Sequence, residues 1–91
     1  MSKIEATSAQ TRNIVVYSRP GCHLCELLVE KLAPMIRDRL ELEIRDIDTR
    51  ADWTLEYGVR IPLVEYDGEV LCQHHLDEDA IRRVLNGLTD R

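Results

Sequence analysis

The sequence predicts an α/β domain in which a four-stranded mixed sheet is flanked by three helices. A short, wholly apolar segment, residues 14–17, is typical of a strand buried on both faces. Segments with apolar residues every three or four positions indicate amphipathic helices. The Asp67-Gly68 pair between two strand-like runs predicts a tight hairpin. At 91 residues, the chain has room for one domain of this kind.

The first half of the chain predicts a β-α-β unit. After the strand at residues 14–17 comes a turn-forming segment, residues 18–21. The first helix begins at the cysteines, bends at Pro34, and carries a stripe of apolar residues expected to be buried: Leu24, Leu27, Leu28, Leu32, Met35 and Ile36. Alternating apolar residues predict the second strand over 41–47, and the helical crossover makes it parallel to the first.

The middle of the chain predicts a short helix and a hairpin. Thr49 and Asp52 resemble a capping box, and Gly58 offers a left-handed stop, so a helix of about two turns is expected between them. Residues 63–66 and 69–72 then form two antiparallel strands.

The two ends of the chain complete the predicted order, β-α-β-α-β-β-α. Asp77 is expected to cap a last helix that ends at Asn86 and Gly87. Residues 1–12 are polar and aperiodic, which predicts a flexible N-terminal tail. The single domain is therefore expected over residues 13–91.

The composition narrows the classes of partner. Asp and Glu number 17 against 12 Lys and Arg, so the net charge is -5 and the basic field of a nucleic-acid-binding protein is absent. No apolar stretch approaches the ~18 residues of a membrane span, and no signal-peptide core begins the chain. We expect a cytoplasmic monomer that binds neither nucleic acid nor membrane.

Two of the three cysteines, Cys22 and Cys25, open the first helix at a spacing that suits dithiol chemistry. With about 100° per residue, Cys25 falls at the edge of the apolar stripe and Cys22 lies away from it, exposed. The unpaired N–H groups and positive end of the helix favour the Cys22 thiolate and lower its pKa below the free value of about 8.5. Cys22 is thus the predicted nucleophile and Cys25 the resolving thiol.

Two cations beside the cysteines have open roles. Arg19, three residues before Cys22, either stabilises the thiolate and holds a substrate carboxylate or is a solvated loop residue. His23 either stabilises the thiolate as imidazolium or is a solvated residue at the helix start.

Two other functions compete with redox catalysis. Cys72 followed by His74 and His75 could join Cys22 and Cys25 in a zinc-type metal site, although this second set has irregular spacing. Cys72 could equally be a small core residue. The second competing hypothesis is that the domain is a redox-inert interaction module.

The sequence resembles the glutaredoxins of the thioredoxin superfamily, and within them a group of short proteins with a Cys-x-Leu-Cys centre. The segments that carry the resemblance share the family's order and separation: residues 15–25, Asp46-Ile47-Asp48, residues 57–62 and Asp67-Gly68. The resemblance implies a thioredoxin-like fold, a redox-active disulfide, and a role in cell redox homeostasis. Glutathione or protein thiols would be the partners, with no cofactor beyond glutathione as co-substrate.

The resemblance also implies a substrate-binding set. It makes the Ile61-Pro62 bond cis, places Pro62 opposite the dithiol and gives Ile61 backbone hydrogen bonds to the substrate. Arg60 would add positive charge, and Arg19 would hold a glutathione carboxylate. Two departures stand out: residues 72–75 replace the Gly-Gly segment that approaches glutathione, and His-Leu replaces the usual Pro-aromatic pair between the cysteines.

Overall fold

The computed structural model describes residues 13–89 and contains the predicted elements in the predicted order. Their bounds in chain order are β1 (Asn13–Ser18), α1 (His23–Ile36), β2 (Glu41–Asp46), α2 (Ala51–Tyr57), β3 (Leu63–Tyr66), β4 (Glu69–Gln73) and α3 (Glu78–Thr89). A 3-10 turn, Ile47–Thr49, lies between β2 and α2. The predicted N-terminal tail, residues 1–12, lies outside the described residues.

The four strands form one mixed sheet in the order β2-β1-β3-β4. β1 is parallel to β2 and antiparallel to β3, and β3 and β4 form the antiparallel hairpin. The predicted four-stranded mixed sheet with three helices, a thioredoxin-like arrangement, is therefore confirmed. β1 lies inside the sheet and is buried on both faces, as its unbroken apolar run predicts.

Alternate residues of β1 reach two separate cores. Ile14 and Val16 belong to the larger core, which also includes the buried faces of α1 and α3. Val15 and Tyr17 belong to the second core, which Trp53 and other residues around α2 cover. The sheet thus lies between two helical layers, and β1 fixes the position of both.

Tyr17 is the centre of the second core. Its ring stacks on Tyr57 with centroids 4.0 Å apart and meets Trp53 edge-on at 5.7 Å. Arg45 Nη1 donates a hydrogen bond to the Tyr17 hydroxyl at 2.8 Å. Burial, the largest cause, raises the pKa of Tyr17 well above its usual value, so the phenol is neutral at physiological pH. Trp53 and Tyr57 therefore serve the core, as expected.

Two local signals in the sequence are confirmed by backbone geometry. Asp67 and Gly68 have φ of 54° and 81°, the left-handed pair that a tight type I′ hairpin requires. Asp77 Oδ1 accepts the N–H of Ala80 at 3.1 Å and so caps α3. Strand β4 and helix α3, which follow these residues, begin where the sequence predicts.

The predicted caps of α2 are wrong. Thr49 does not cap the helix, because it belongs to the preceding 3-10 turn and donates its hydroxyl to the Asp46 carbonyl. Arg50 is the N-cap instead, and its side chain makes no capping bond. Gly58 has helical φ of -51°, not a left-handed one. Glycine is needed there for a different reason: a Cβ would lie 2.6 Å from the Thr54 carbonyl oxygen.

The predicted buried face of α1 and the predicted end of α3 also need correction. Leu28, Leu32 and Ile36 are buried as predicted. Leu24 and Leu27 are exposed instead, and Cys25 completes the buried side of α1. Helix α1 continues through Pro34 to Ile36, and the predicted bend at this proline stays a prediction. Helix α3 continues past the predicted stop at Asn86 and Gly87, since Leu88 still packs against the larger core.

We predict that Leu32→Ala lowers the free energy of unfolding by about 2–5 kcal/mol, because it empties a fully buried site in the larger core. Leu55→Ala is the matched control: Leu55 is 87% exposed on α2, and its loss should change stability by no more than about 0.5 kcal/mol. Urea unfolding measures both. Equal losses in the two variants would contradict this description of the core.

Candidate active site

The chain enters the candidate site through a short loop between β1 and α1. Gly21 adopts a left-handed φ of 81°, and the Cys22 N–H donates to the Arg19 carbonyl at 3.1 Å, which closes the turn. Cys22 then takes the extended N-cap position of α1, with φ -86° and ψ 105°. The buried strand and this turn together place a cysteine sulfur at the helix N-terminus.

Cys22 and Cys25 are joined by a disulfide, with their Cα atoms 5.2 Å apart. Cys22 Sγ accepts the backbone N–H of Cys25 at 3.2 Å, as an N-cap side chain does. Cys25 is only 3% exposed, as predicted, whereas Cys22 is partly exposed where the sequence predicted an exposed sulfur. An attacking group can therefore reach Cys22 more easily than Cys25.

Arg19 and His23 flank the dithiol but differ in their contacts. Arg19 Nε lies 3.1 Å from Asp48 Oδ1, so this guanidinium forms an ion pair with the 3-10 turn. His23 is the first residue of α1 and is exposed. Contact of either side chain with a substrate stays a prediction.

The Ile61-Pro62 peptide bond is cis, as the family resemblance implies. Pro62 is buried, and its carbonyl accepts the His74 N–H at 2.7 Å. Ile61 packs against the core around Tyr17 and lies outside the strands, between α2 and β3. The position of Pro62 opposite the dithiol and the substrate bonds of Ile61 stay predictions.

Arg60 is tied to neighbouring residues. Its Nη1 lies 3.1 Å from Glu56 Oε2, and its Nε donates to Gln73 Oε1 at 3.2 Å. The guanidinium also lies over the Tyr57 ring, 5.8 Å from the centroid. A substrate carboxylate would have to compete with the Glu56 carboxylate for this cation.

The segment that replaces Gly-Gly supports the loop of the cis proline. His74 has a left-handed φ of 70°, and its Nε2 lies 2.9 Å from the Val59 carbonyl oxygen. The His74 N–H also bonds to the Pro62 carbonyl, and Gln73 bonds to Arg60. These three contacts join the end of β4 to the loop before β3. Sequence reasoning marked the departure but missed this role, which only contacts between distant residues reveal.

The proposed metal donors are not brought together. Within residues 13–89, no group of three or more His, Cys, Asp or Glu side chains is arranged to hold a metal ion. Cys72 instead packs against the larger core, and burial, the largest cause, raises the pKa of its thiol. Its contacts match the alternative in which Cys72 is a core residue.

A groove of about 470 Å³ extends from the dithiol between α1 and β2. We call it the α1–β2 groove. The loop residues 18–21, with Arg19 among them, line it together with Cys25, Glu26, Val29, Glu30, Ile44 and Asp46. Sequence reasoning missed it, because the alternating pattern of β2 gave no sign that Ile44 would be 52% exposed.

Among residues 13–89, none of the helices has the length and apolar character that a membrane span requires.

Comparison with known sequences gives a consistent family assignment. The family model described as "Glutaredoxin-like domain (DUF836)" matches residues 13–86. Among curated proteins, the chain is similar to a "Glutaredoxin-like protein YDR286C homolog" from Dictyostelium discoideum. The two are 28% identical over 76 residues, which cover 76% of this chain and 70% of that protein.

Solved structures share the fold. Protein Ne2328 from Nitrosomonas europaea is 35% identical, with a TM-score of 0.72 over 81% of this chain and 91% of its own. Protein XcR50 from X. campestris is 29% identical, with a TM-score of 0.66 over 81% and 96% of the two chains. Fasciola hepatica thioredoxin, at 19% identity and TM-score 0.53 over 93% and 88%, supports the thioredoxin-like fold alone.

We predict that Cys72 reacts slowly with iodoacetamide. A raised pKa means a smaller thiolate fraction at every pH below it, and only the thiolate attacks. In a Cys22→Ser/Cys25→Ser variant, the folded protein should be alkylated more slowly than the same variant in urea. Its rate should still rise with pH where the unfolded rate has levelled off. Equal rates in the two states would show that Cys72 is accessible and that its thiol pKa is not raised, which would contradict the prediction.

Proposed function

Because the chain belongs to the glutaredoxin-like domain family, we propose that it is a thiol-disulfide oxidoreductase with Cys22 as nucleophile and Cys25 as resolving thiol. The observation that carries this proposal is the disulfide between these residues at the N-terminus of α1. Their unequal exposure supports the assignment of roles, since a substrate sulfur must approach the attacking thiolate directly.

The proposed reaction is a two-step exchange. The Cys22 thiolate attacks one sulfur of a substrate disulfide, forming a mixed disulfide and releasing the other sulfur as thiolate. Cys25 then gives up its proton to solvent and attacks Cys22 Sγ, which forms the Cys22-Cys25 disulfide and releases the second substrate thiolate. Two electrons pass from the protein dithiol to the substrate, and the reverse sequence oxidises a substrate dithiol.

Helix α1 supports the first step. The Cys25 N–H that donates to Cys22 Sγ is one of the amides that a helix leaves unpaired at its first turn. Such a donor stabilises a sulfur anion more than a neutral thiol, as does the positive end of the helix dipole. Both effects favour Cys22 as attacking and as leaving sulfur.

Glutathione and protein thiols are the two proposed partner classes, and the cytoplasm, with its thiol pool, is the proposed compartment. The proposed substrate-binding set consists of Arg19, His23, Arg60, Ile61 and Pro62. In this set the Ile61 backbone would pair with an extended substrate segment, in the way that sheet edges bind peptides.

The test is redox equilibration followed by thiol trapping. Protein treated with a chelator is equilibrated at a series of ratios of reduced to oxidised glutathione. It is then alkylated in urea, so that the buried Cys72 also reacts, and its intact mass is measured. With three cysteines, the reduced form should carry three alkyl groups and the disulfide form one, with a reversible midpoint between them. The same spectra report any glutathione adduct.

Matched variants assign the disulfide to the proposed pair. Cys72→Ser should keep the midpoint, because Cys72 takes no part in the exchange, whereas Cys22→Ser should abolish the transition. Cys25→Ser should stop after the first step and accumulate a glutathione adduct on Cys22. If wild-type protein formed no intramolecular disulfide at any ratio, the proposed function would be wrong.

A further inference from the structure

The floor of the α1–β2 groove is apolar and begins at the dithiol. Cys25 lines its inner end, and Val29 and the 52% exposed Ile44 extend it along α1 and β2. β2 is an edge strand of the sheet, with no strand on its outer side among residues 13–89. Gly21 and Cys25, on either side of Cys22 in the chain, both line the groove, so a substrate segment that covers Ile44 would bring its own cysteine close to Cys22.

The rim of this groove is acidic. Glu26 and Glu30 project from α1 and Asp46 from β2, all lining the same groove. Within the described part of the chain, the side chains of Glu26 and Glu30 form no ion pair, and Asp46 accepts only the backbone N–H of Asp48. Arg19, the one cation among the lining residues, is paired with Asp48, so the three carboxylates have no ion-pair partner among the described residues.

The two arginines of the proposed substrate-binding set, by contrast, are already paired. Asp48 holds Arg19, and Glu56 and Gln73 hold Arg60. Glutathione has two carboxylates and one ammonium group, so it would have to displace these partners and would meet uncompensated acids beside Cys25. A segment that carries Lys or Arg gains attraction from the same charges.

From these observations we infer that the preferred substrate is a protein disulfide flanked by cationic and apolar side chains, docked in the α1–β2 groove. The inference rests on the proposed oxidoreductase function and narrows its substrate class. The apolar flank covers Val29 and Ile44, and the cationic flank pairs with Glu26 and Glu30. The exchange is the two-step reaction through Cys22 and Cys25, with both electrons passing to the substrate disulfide.

The test is single-turnover reduction of two peptide disulfides by excess reduced protein. Each substrate is a disulfide-linked peptide pair with the same apolar residue beside cysteine, flanked by Lys in one and by Glu in the other. Rates are divided by those of dithiothreitol, which removes differences in intrinsic reactivity. The Lys peptide should react about ten-fold faster than the Glu peptide at low salt, and added salt should shrink this ratio.

Charge-matched variants locate the effect. Glu26→Gln/Glu30→Gln should reduce the Lys-to-Glu rate ratio about five-fold, as expected for the loss of two exposed charge interactions. Glu41→Gln/Glu69→Gln removes the same charge from positions outside the groove and should leave the ratio within about two-fold of wild type. Oxidised glutathione, tested in parallel, should react more slowly than the Lys peptide.

Four outcomes would overturn the inference. Three of them leave the oxidoreductase function intact: equal normalised rates for the two peptides, faster reduction of oxidised glutathione, or equal effects of both variant pairs. A dimer that Glu26→Gln/Glu30→Gln converts to monomer would be the fourth, since the groove would then hold a second copy. If no disulfide were reduced and no Cys22-Cys25 disulfide formed, the proposed function itself would fail.

Discussion

The hydrogen bond from the Cys25 N–H to Cys22 Sγ, 3.2 Å long, is the contact on which the site depends. It exists because β1 is fixed by both cores and Gly21 turns the chain, so that Cys22 caps α1. The same geometry buries Cys25 one turn later. A single helix start thus separates an accessible sulfur, which faces unpaired amides, from a shielded sulfur in the apolar core.

Most of the fold could be predicted because its signals are local. The apolar run of β1 and the turn at Asp67-Gly68 each constrain the backbone within a few residues. Predictions failed where packing outweighs a local signal. Gly58 is needed for its close approach to Thr54 and not for a left-handed stop, and α3 continues past Gly87 because Leu88 packs against the larger core.

The candidate site likewise has features that the sequence predicts and features that it does not. The spacing of Cys22 and Cys25 identifies the dithiol, since that chemistry needs two sulfurs one helical turn apart. The pairing of Arg19 with Asp48 joins residues 29 positions apart, and that of Arg60 with Gln73 spans 13, so neither follows from sequence spacing. These pairings decide the charge that a substrate meets, which is why the sequence predicts the chemistry better than the substrate.

The most direct test of this account is the thiolate titration of Cys22, followed by ultraviolet absorbance in a Cys25→Ser/Cys72→Ser variant. Cys22 should titrate with a midpoint below about 8.5, the value of a free thiol, and return to that value in urea. A Cys22→Ser/Cys72→Ser variant, which keeps only Cys25, should titrate above it because that thiol is buried. A folded-state midpoint for Cys22 at or above the free value would contradict the central claim that the helix start activates this sulfur.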